Sequence, residues 1–410
     1  MKTVLLGVTG GIAAIRIPEL IRALKKAHVQ PIVIMTDSAT HIISPDRMKM
    51  ATGKKVYVKL FPKEFNAKNT VALKTIDHIT LAKKASLYII VPATANSIAK
   101  LSAGIADDYV TTFALAARCP ILIFPSMNSY MWTHPATIEN VNKLKSYGYT
   151  IINPSTGQLA CGDIGAGRLP DVMVMRDEIL ALLKKTKILN NKIIIVTSGA
   201  TKEFIDDVRY ITNNSSGKMG AALSDAAYLY GANVVLLRAK KSISPRYHVK
   251  QEEYESADEL TQLMNHYLPK ADICIHCAAV SDYKVLRPRH GKTLSNKSLP
   301  FELTPRTKIL DTIKRIKPTI YLAAFKAEWN VSASKLCTIA KNRLLGSHAD
   351  MIIANDVGKP GIGFGSDYND VYIVTRASTP IHISLRSKSE IASRIIDEIV
   401  KNICPITVSA

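Results

Sequence analysis

Residues 3–14, TVLLGVTGGIAA, decide the fold. The apolar run Thr3 to Val8 predicts a buried strand, Thr9-Gly10-Gly11 a tight turn, and IRIPELIRALKKA (15–27) a helix with apolar residues at 3.6 spacing. Strand, glycine turn and helix make the first unit of a doubly wound α/β sheet. The alternation continues through PIVIMT (31–36), SLYIIVPAT (86–94) and PILIFPSM (120–127), each separated by helical patterns or polar connections. Strands that are apolar on both faces and alternate with helices predict a parallel sheet covered on both sides.

Past the helix DEILALLKK (177–185), the basic stretch Lys184 to Lys192 leads into a new strand, KIIIVTSG (192–199). The pattern then restarts: a helix over Met219 to Tyr230, followed by ANVVLLRA (232–239), ADICIHCAAV (271–280), TIYLAAF (319–325) and ADMIIAND (349–356). A chain of 410 residues is long enough for two hydrophobic cores. The expected organisation is two doubly wound, mainly parallel-sheet domains, residues 1–188 and 189–410. The polar loop from Arg287 to Pro300 is long enough to be mobile.

No apolar stretch reaches the length of a membrane span, so no membrane partner is expected. The opening residues read as strand, loop and helix rather than as an export signal, because glycines interrupt the apolar run. Six scattered cysteines form no disulfide framework, and a reducing cytoplasm fits them. The net charge of +21 raises nucleic-acid binding, but the basic residues come in pairs such as Lys25-Lys26 and Lys240-Lys241, with no aromatic-interleaved stripe. Solvated faces and affinity for small anions account for the charge better.

Gly7 to Ile12 joins a strand to a helix, a setting in which backbone N–H groups hold phosphate. It departs from G-x-G-x-x-G at Thr9, which weakens a nicotinamide-dependent oxidoreductase. Thr36-Asp37-Ser38 and Thr94-Ala95-Asn96-Ser97 bring small hydrogen-bonding side chains to the same sheet edge, though each is also a helix cap by type. Pro125 to Asn128 follows a buried strand, and the glycines around Cys161 suggest a closing lid. In the second half, Ser216-Gly217-Lys218-Met219 lacks the Ser or Thr of a P-loop, and Thr212 stands where its first glycine belongs. The lone pair Cys274 and Cys277 lies in a strand-like run, which argues against zinc or redox chemistry.

GVTGGIAA (7–14), His78-Ile79, PATANSIAKLSAGIADD (92–108), PSMN (125–128), MWTHPAT (131–137) and LACGDIGAGRLP (159–170) occur in order. On these motifs the first half resembles the flavin-containing cysteine decarboxylases, specifically phosphopantothenoylcysteine decarboxylase; Ser126 replaces the usual Ala. The resemblance implies a flavodoxin-like flavoprotein. FMN carries electrons as the substrate thiol is oxidised to a thioaldehyde, carbon dioxide leaves, and the enethiolate is reduced. It further implies FMN contacts at Gly10, Gly11, Ile12, Thr36, Asp37, Ser38, Thr94, Ala95, Asn96 and Ser97. By the same resemblance His78 is expected to act as base or electrostatic partner, Asn128 to hold the substrate carboxylate, and Cys161 to donate the proton of reduction.

SGATKEFIDDVRYITNNSSGKMG (198–220), CAAVSDY (277–283), AAFKAE (323–328), ANDV (354–357) and GFGSDYN (363–369) resemble phosphopantothenate-cysteine ligase, a Rossmann-like domain. The resemblance implies that CTP, with Mg²⁺, activates 4′-phosphopantothenate as an acyl-cytidylate, and that cysteine displaces CMP. Asn213 matches the residue that stabilises the acyl-cytidylate and Lys292 a catalytic lysine. Nucleotide contacts are implied at His276, Cys277, Ala278, Asp282, Lys292, Lys308, Ile309, Phe325, Lys341 and Arg343, with metal ligands unassigned. A family K-I-K-K run is reduced to Lys292-Thr293-Leu294-Ser295, leaving Lys297 as a substitute. Of two family lysines before ANDV, the chain offers Arg343 and Ser347, with Lys341 nearby, and Arg306-Thr307-Lys308-Ile309 replaces N-P-D-I.

The resemblance also implies a homo-oligomer, with trimers of the first domain, dimers of the second and a dodecamer overall. The competing readings are a flavin-binding regulatory protein and a monofunctional ligase with an inactive flavodomain. The presence of His78, Asn128 and Cys161 together argues against the regulatory reading.

Overall fold

The computed structural model describes residues 1–60, 81–82, 84–158, 162–294, 299–359, 361–376 and 379–403. The chain divides into two compact units, Met1–Lys185 with Arg246–His248, and Thr186–Pro245 with Val249–Ala410.

Unit 1 is built on β1 (Lys2–Val8), β2 (Val29–Met35), β3 (Val56–Tyr57), β4 (Leu87–Ala93), β5 (Ile121–Pro125) and β6 (Thr150–Ile151). They form one sheet in the order β3-β2-β1-β4-β5-β6, with every pairing parallel. Every residue of β4 and β5 is buried, as a sheet covered on both faces demands. The helix Ile17–Lys26 buries Ile17, Leu20, Ile21 and Leu24, an i, i+3, i+4, i+7 stripe. Pro18 in its first turn, Glu19 beside it and Lys25-Lys26 in the last turn match the helix dipole. A short antiparallel pair, β7 (Ser155–Gln158) and β8 (Ile164–Arg168), carries the glycine-rich segment.

Unit 2 continues with β9 (Ile193–Ser198), β10 (Lys202–Phe204), β11 (Tyr210–Thr212), β12 (Asn233–Ala239), β13 (Lys250–Tyr254), β14 (Ile273–His276), β15 (Tyr283–Val285), β16 (Leu303–Pro305), β17 (Tyr321–Glu328), β18 (Met351–Asp356), β19 (Tyr368–Thr375) and β20 (Ile381–Ser387). Its main sheet runs β13-β12-β9-β14-β17-β18-β19-β20. The pairings through β18 are parallel, and β19 and β20 extend the sheet antiparallel. Helices Lys218–Leu229 and Lys388–Ile403 cover one face, packing Leu223, Ala226, Ala227, Ile391, Ile395 and Ile399 against it. Helices Ala257–Tyr267 and Ala333–Gly346 cover the other with Leu260, Met264, Leu336, Ala340 and Leu344.

Both units therefore place their first and fourth strands side by side, with the chain leaving in opposite directions from the two carboxyl ends. This is the switch point at which open α/β sheets form a crevice. In unit 2 the crevice depends on a close helix–strand approach: a Cβ on Gly220 would lie 2.4 Å from both Cβ and Oγ of Ser198. Gly220→Ala is expected to push the helix Lys218–Leu229 off β9, costing about 1–3 kcal/mol. A fall in the thermal unfolding midpoint checks this, and an unchanged midpoint refutes the contact.

Candidate functional sites

At the switch point of unit 1 a single hydroxyl joins two strand ends. Buried Thr9 donates to the Pro92 carbonyl at 2.7 Å and accepts from the Thr94 N–H at 3.1 Å. The Gly10-Gly11 turn is thereby held against the end of β4. A Cβ on Gly10 would lie 2.6 Å from that of Ser38, so only glycine lets this turn approach the end of β2. Thr94 caps the helix Ala95–Ala103, accepting from the Ser97 N–H at 3.2 Å, and Thr36 likewise accepts from Ala39 N–H at 3.2 Å.

A cleft of about 500 Å³ opens beside these ends, lined by Gly11, Ile12, Thr94, Ala95, Asn128, Met131, Arg168 and others. Asn128 accepts from the Tyr130 N–H at 2.8 Å as the cap of the helix Ser129–Thr133, and its amide donates to Asp163 at 3.4 Å. Gly167 lies so close to Met127 that a Cβ there would be 2.1 Å from the Met127 carbonyl oxygen. That contact seats the β7–β8 pair on the cleft. Gly10, Thr36, Asp37, Ser38, Asn96 and Ser97 stand outside its lining, although Asp37, Ser38 and Asn96 are exposed at the same strand ends. His78 and Cys161 lie outside the described residues. Sequence reasoning did not single out Met131 or Arg168 on the cleft wall.

The cleft of unit 2, about 310 Å³, lies at the carboxyl ends of β9, β14 and β17. It brings together Asn213, His276, Cys277, Ala278, Asp282, Lys308, Ile309, Phe325 and Arg343. Lys292 and Lys341 are exposed and line no part of it. The described part of the Arg287–Pro300 loop is tied to a turn: the Thr293 and Gly291 N–H groups donate to Asp206 and Asp207 at 3.3 and 2.7 Å. Burial works against the Asp206 carboxylate, but N–H groups from Val208, Arg209 and Thr293 hold it down at about 2. Lys297 lies outside the described residues.

Thr197 organises this cleft as Thr9 does the first. Its hydroxyl oxygen accepts from the Cys277 and Ala278 N–H groups at 3.1 and 3.0 Å and lies 3.0 Å from His276 Nδ1. With its oxygen occupied by two donors, the hydroxyl hydrogen goes to Nδ1, which leaves the imidazole neutral with its proton on Nε2. Burial, followed by the charge of Arg343, pushes His276 down to about 4. Asn213 donates to the Ala279 carbonyl at 3.1 Å, and Lys308 pairs with Asp282 at 3.3 Å.

Arg306, at the segment replacing N-P-D-I, lies outside the cleft lining and is held by carboxylates. It pairs with Glu203 at 2.9 Å and with Asp258, and its N–H donates to the Asp282 carbonyl at 2.8 Å. Cys274 is wholly buried in β14, where burial raises its thiol to about 12 and disfavours the thiolate. Among the described residues no cluster of three or more His, Cys, Asp or Glu could hold a metal, and no helix is long and apolar enough to cross a membrane. Asn355, Asn369, Phe364 and Lys388 also line the cleft. The first three sit in the motifs ANDV and GFGSDYN, whereas nothing in the local pattern marks Lys388.

The His276 environment has a measurable consequence. The unfolded chain takes up a proton near pH 6.5 and the folded one only near 4, so stability falls as pH drops between those values. Between pH 7 and pH 4 the parent protein is expected to lose about 3 kcal/mol more than His276→Gln. Urea midpoints across that range check this, and parallel pH profiles would refute the buried neutral imidazole.

The family model described as Flavoprotein matches residues 1–184, and that of the DNA/pantothenate metabolism flavoprotein C-terminal domain matches residues 189–403. The coenzyme A biosynthesis bifunctional protein CoaBC of Thermococcus kodakarensis is 35% identical over 98% of this chain and 95% of its own length. Its namesake from Bacillus subtilis is 36% identical over 97% and 96%. That of Escherichia coli K12 is 34% identical over 97% of each. A solved C-terminal domain of a protein of that name is 30% identical, with TM-score 0.44, and covers 53% of this chain and 98% of itself. The chain belongs to the CoaBC family of bifunctional enzymes of coenzyme A biosynthesis, which join a decarboxylase flavoprotein to a ligase.

Proposed function

We propose that residues 189–410 ligate 4′-phosphopantothenate to cysteine, and that residues 1–188 decarboxylate the product to 4′-phosphopantetheine. The ligase converts CTP to CMP and pyrophosphate through an acyl-cytidylate, with Mg²⁺ neutralising the triphosphate. The observation that carries this reading is the gathering of Asn213 with His276, Asp282, Lys308, Phe325 and Arg343 around one switch-point cleft. Asn213 stabilises the acyl-cytidylate and Lys292 meets the charge developing on the phosphates.

In the first unit, FMN fits a cleft whose apolar wall includes Ile12 and Met131 and which Gly11 borders at the end of the glycine turn. Gly10 to Ile12, Thr36 to Ser38 and Thr94 to Ser97 would hold it, and bound FMN supplies the electron-carrying chemistry. Asn128 holds the substrate carboxylate at the cleft mouth, His78 acts as base or electrostatic partner, and Cys161 delivers a proton. The protein works in the cytoplasm as a homo-oligomer, trimeric through the first domain and dimeric through the second, closing as a dodecamer.

The test is mass spectrometry of products after incubation with 4′-phosphopantothenate, cysteine, CTP and Mg²⁺. Phosphopantetheine and CMP are expected together, with ATP a poorer substitute for CTP. Cys161→Ser is expected to lower phosphopantetheine formation roughly a hundredfold or more. Parent protein that stalls at phosphopantothenoylcysteine would mark a silent flavodomain, and no coupled product at all would overturn the bifunctional reading.

A further inference from the structure

We propose that Lys388 is the cation that receives the phosphates of the nucleotide in the unit 2 cleft. This rests on the reading of unit 2 as a nucleoside-triphosphate-dependent ligase. Five lysine and arginine side chains line that cleft, namely Lys218, Lys308, Lys326, Arg343 and Lys388. Four already have carboxylate partners: Lys218 with Asp367 at 2.6 Å, Lys308 with Asp282 at 3.3 Å, Lys326 with Glu328 at 2.8 Å and Arg343 with Asp311 at 2.8 Å. Among the described residues Lys388 alone of the five has no carboxylate within ion-pairing distance.

Lys388 is also the most withdrawn from water, with 7% of its surface exposed. Its ammonium donates to the Phe364 carbonyl at 3.1 Å, which leaves N–H capacity unused. Burial, then the neighbouring charge of Lys218, holds its pKa below the ordinary lysine value. Asp367, which acts on it from beyond ion-pairing distance, is already paired with Lys218, so the buried ammonium is under-compensated, and a wall that keeps one suits an anion that arrives later.

The neighbouring wall is suited to the same guest. Gly217 to Gly220 line the cleft at the start of the twelve-residue helix Lys218–Leu229, whose first-turn N–H groups lack intrahelical partners. Gly217 adopts φ +78°, and a Cβ there would lie 2.6 Å from that of Ser242, so the backbone makes this turn only as glycine. Release of Lys388 from its resting bond leaves no orphan behind. The Ser216 hydroxyl donates to the same Phe364 oxygen at 2.9 Å and keeps it satisfied when the ammonium turns to phosphate.

Calorimetric titration of the full chain tests this, using parent, Lys388→Met and Lys388→Arg with CTP, inorganic pyrophosphate and cytidine as separate probes. Lys388→Met is expected to weaken CTP and pyrophosphate roughly 10- to 100-fold, the size of a lost hydrogen bond to a charged group, while cytidine binds as in the parent. Its unfolding midpoint without ligand is expected to hold or rise, because a buried unpaired charge is gone, and Lys388→Arg retains most of the affinity. Should the methionine variant fail to fold, Lys388→Gln carries the same comparison. Parent-like CTP binding by the variant overturns the assignment, as does a loss shared equally by cytidine, which would mark a merely structural lysine. A parent chain that binds no nucleoside triphosphate overturns the ligase reading itself.

Discussion

Two buried threonine hydroxyls set the geometry on which both clefts depend. Thr9 bonds across β1 and β4 to the Pro92 carbonyl and the Thr94 N–H, and Thr197 bonds across β9 and β14 to the N–H groups of Cys277 and Ala278. Parallel strands end with backbone groups that no ladder satisfies, and these are costly when shut away from water. One hydroxyl with a donor and two lone pairs satisfies them at the place where the chain turns away in opposite directions. The crevice is therefore held open by its own hydrogen bonds, and the glycine turns beside it are free to approach a ligand.

The same arrangement explains why the fold was legible. TVLLGVTGG and KIIIVTSGA each place Thr at the end of an apolar run and Gly after it, so the strand end and the turn are both local facts. The cleft residues of CAAVSDY and AAFKAE could be read for the same reason, since each follows a buried strand directly. Lys292 and Lys341 illustrate the opposite case. Motif position alone carries their assignment, because where a side chain on a long loop or an outer helix face ends up depends on tertiary contacts, here the bonds that tie Gly291 and Thr293 to Asp207 and Asp206.

The strongly basic composition takes on a more specific meaning in the structure. A net charge of +21 suggests broad affinity for anions, yet most cations on the unit 2 cleft are held by carboxylates of the same unit. Paired in this way they shape the cleft more than they attract a guest, because each must trade an existing partner for a new one. Outside the lining, Arg306 is likewise caught between Glu203 and Asp258: it stands where N-P-D-I is replaced, and it fixes the segment that carries Lys308.

What sequence reasoning could not reach is the antiparallel end of unit 2. β19 and β20 pair back onto β18, and this return brings two distant pieces to the cleft: Asn369, which accepts from Asn355 at 3.4 Å, and Lys388 at the head of the last helix. Asn355 and Asn369 are both buried on adjacent strands, and this bond gives the Asn355 amide a partner across them. Lys388 is separated from the Ser216–Gly217 turn by some 170 residues of chain, and only the sheet's closing hairpin sets the two on one wall. In the linear pattern it is one more exposed-looking lysine before an amphipathic helix. Its burial follows from packing that helix against Lys218–Leu229, and that packing turns a surface charge into a feature of the cleft.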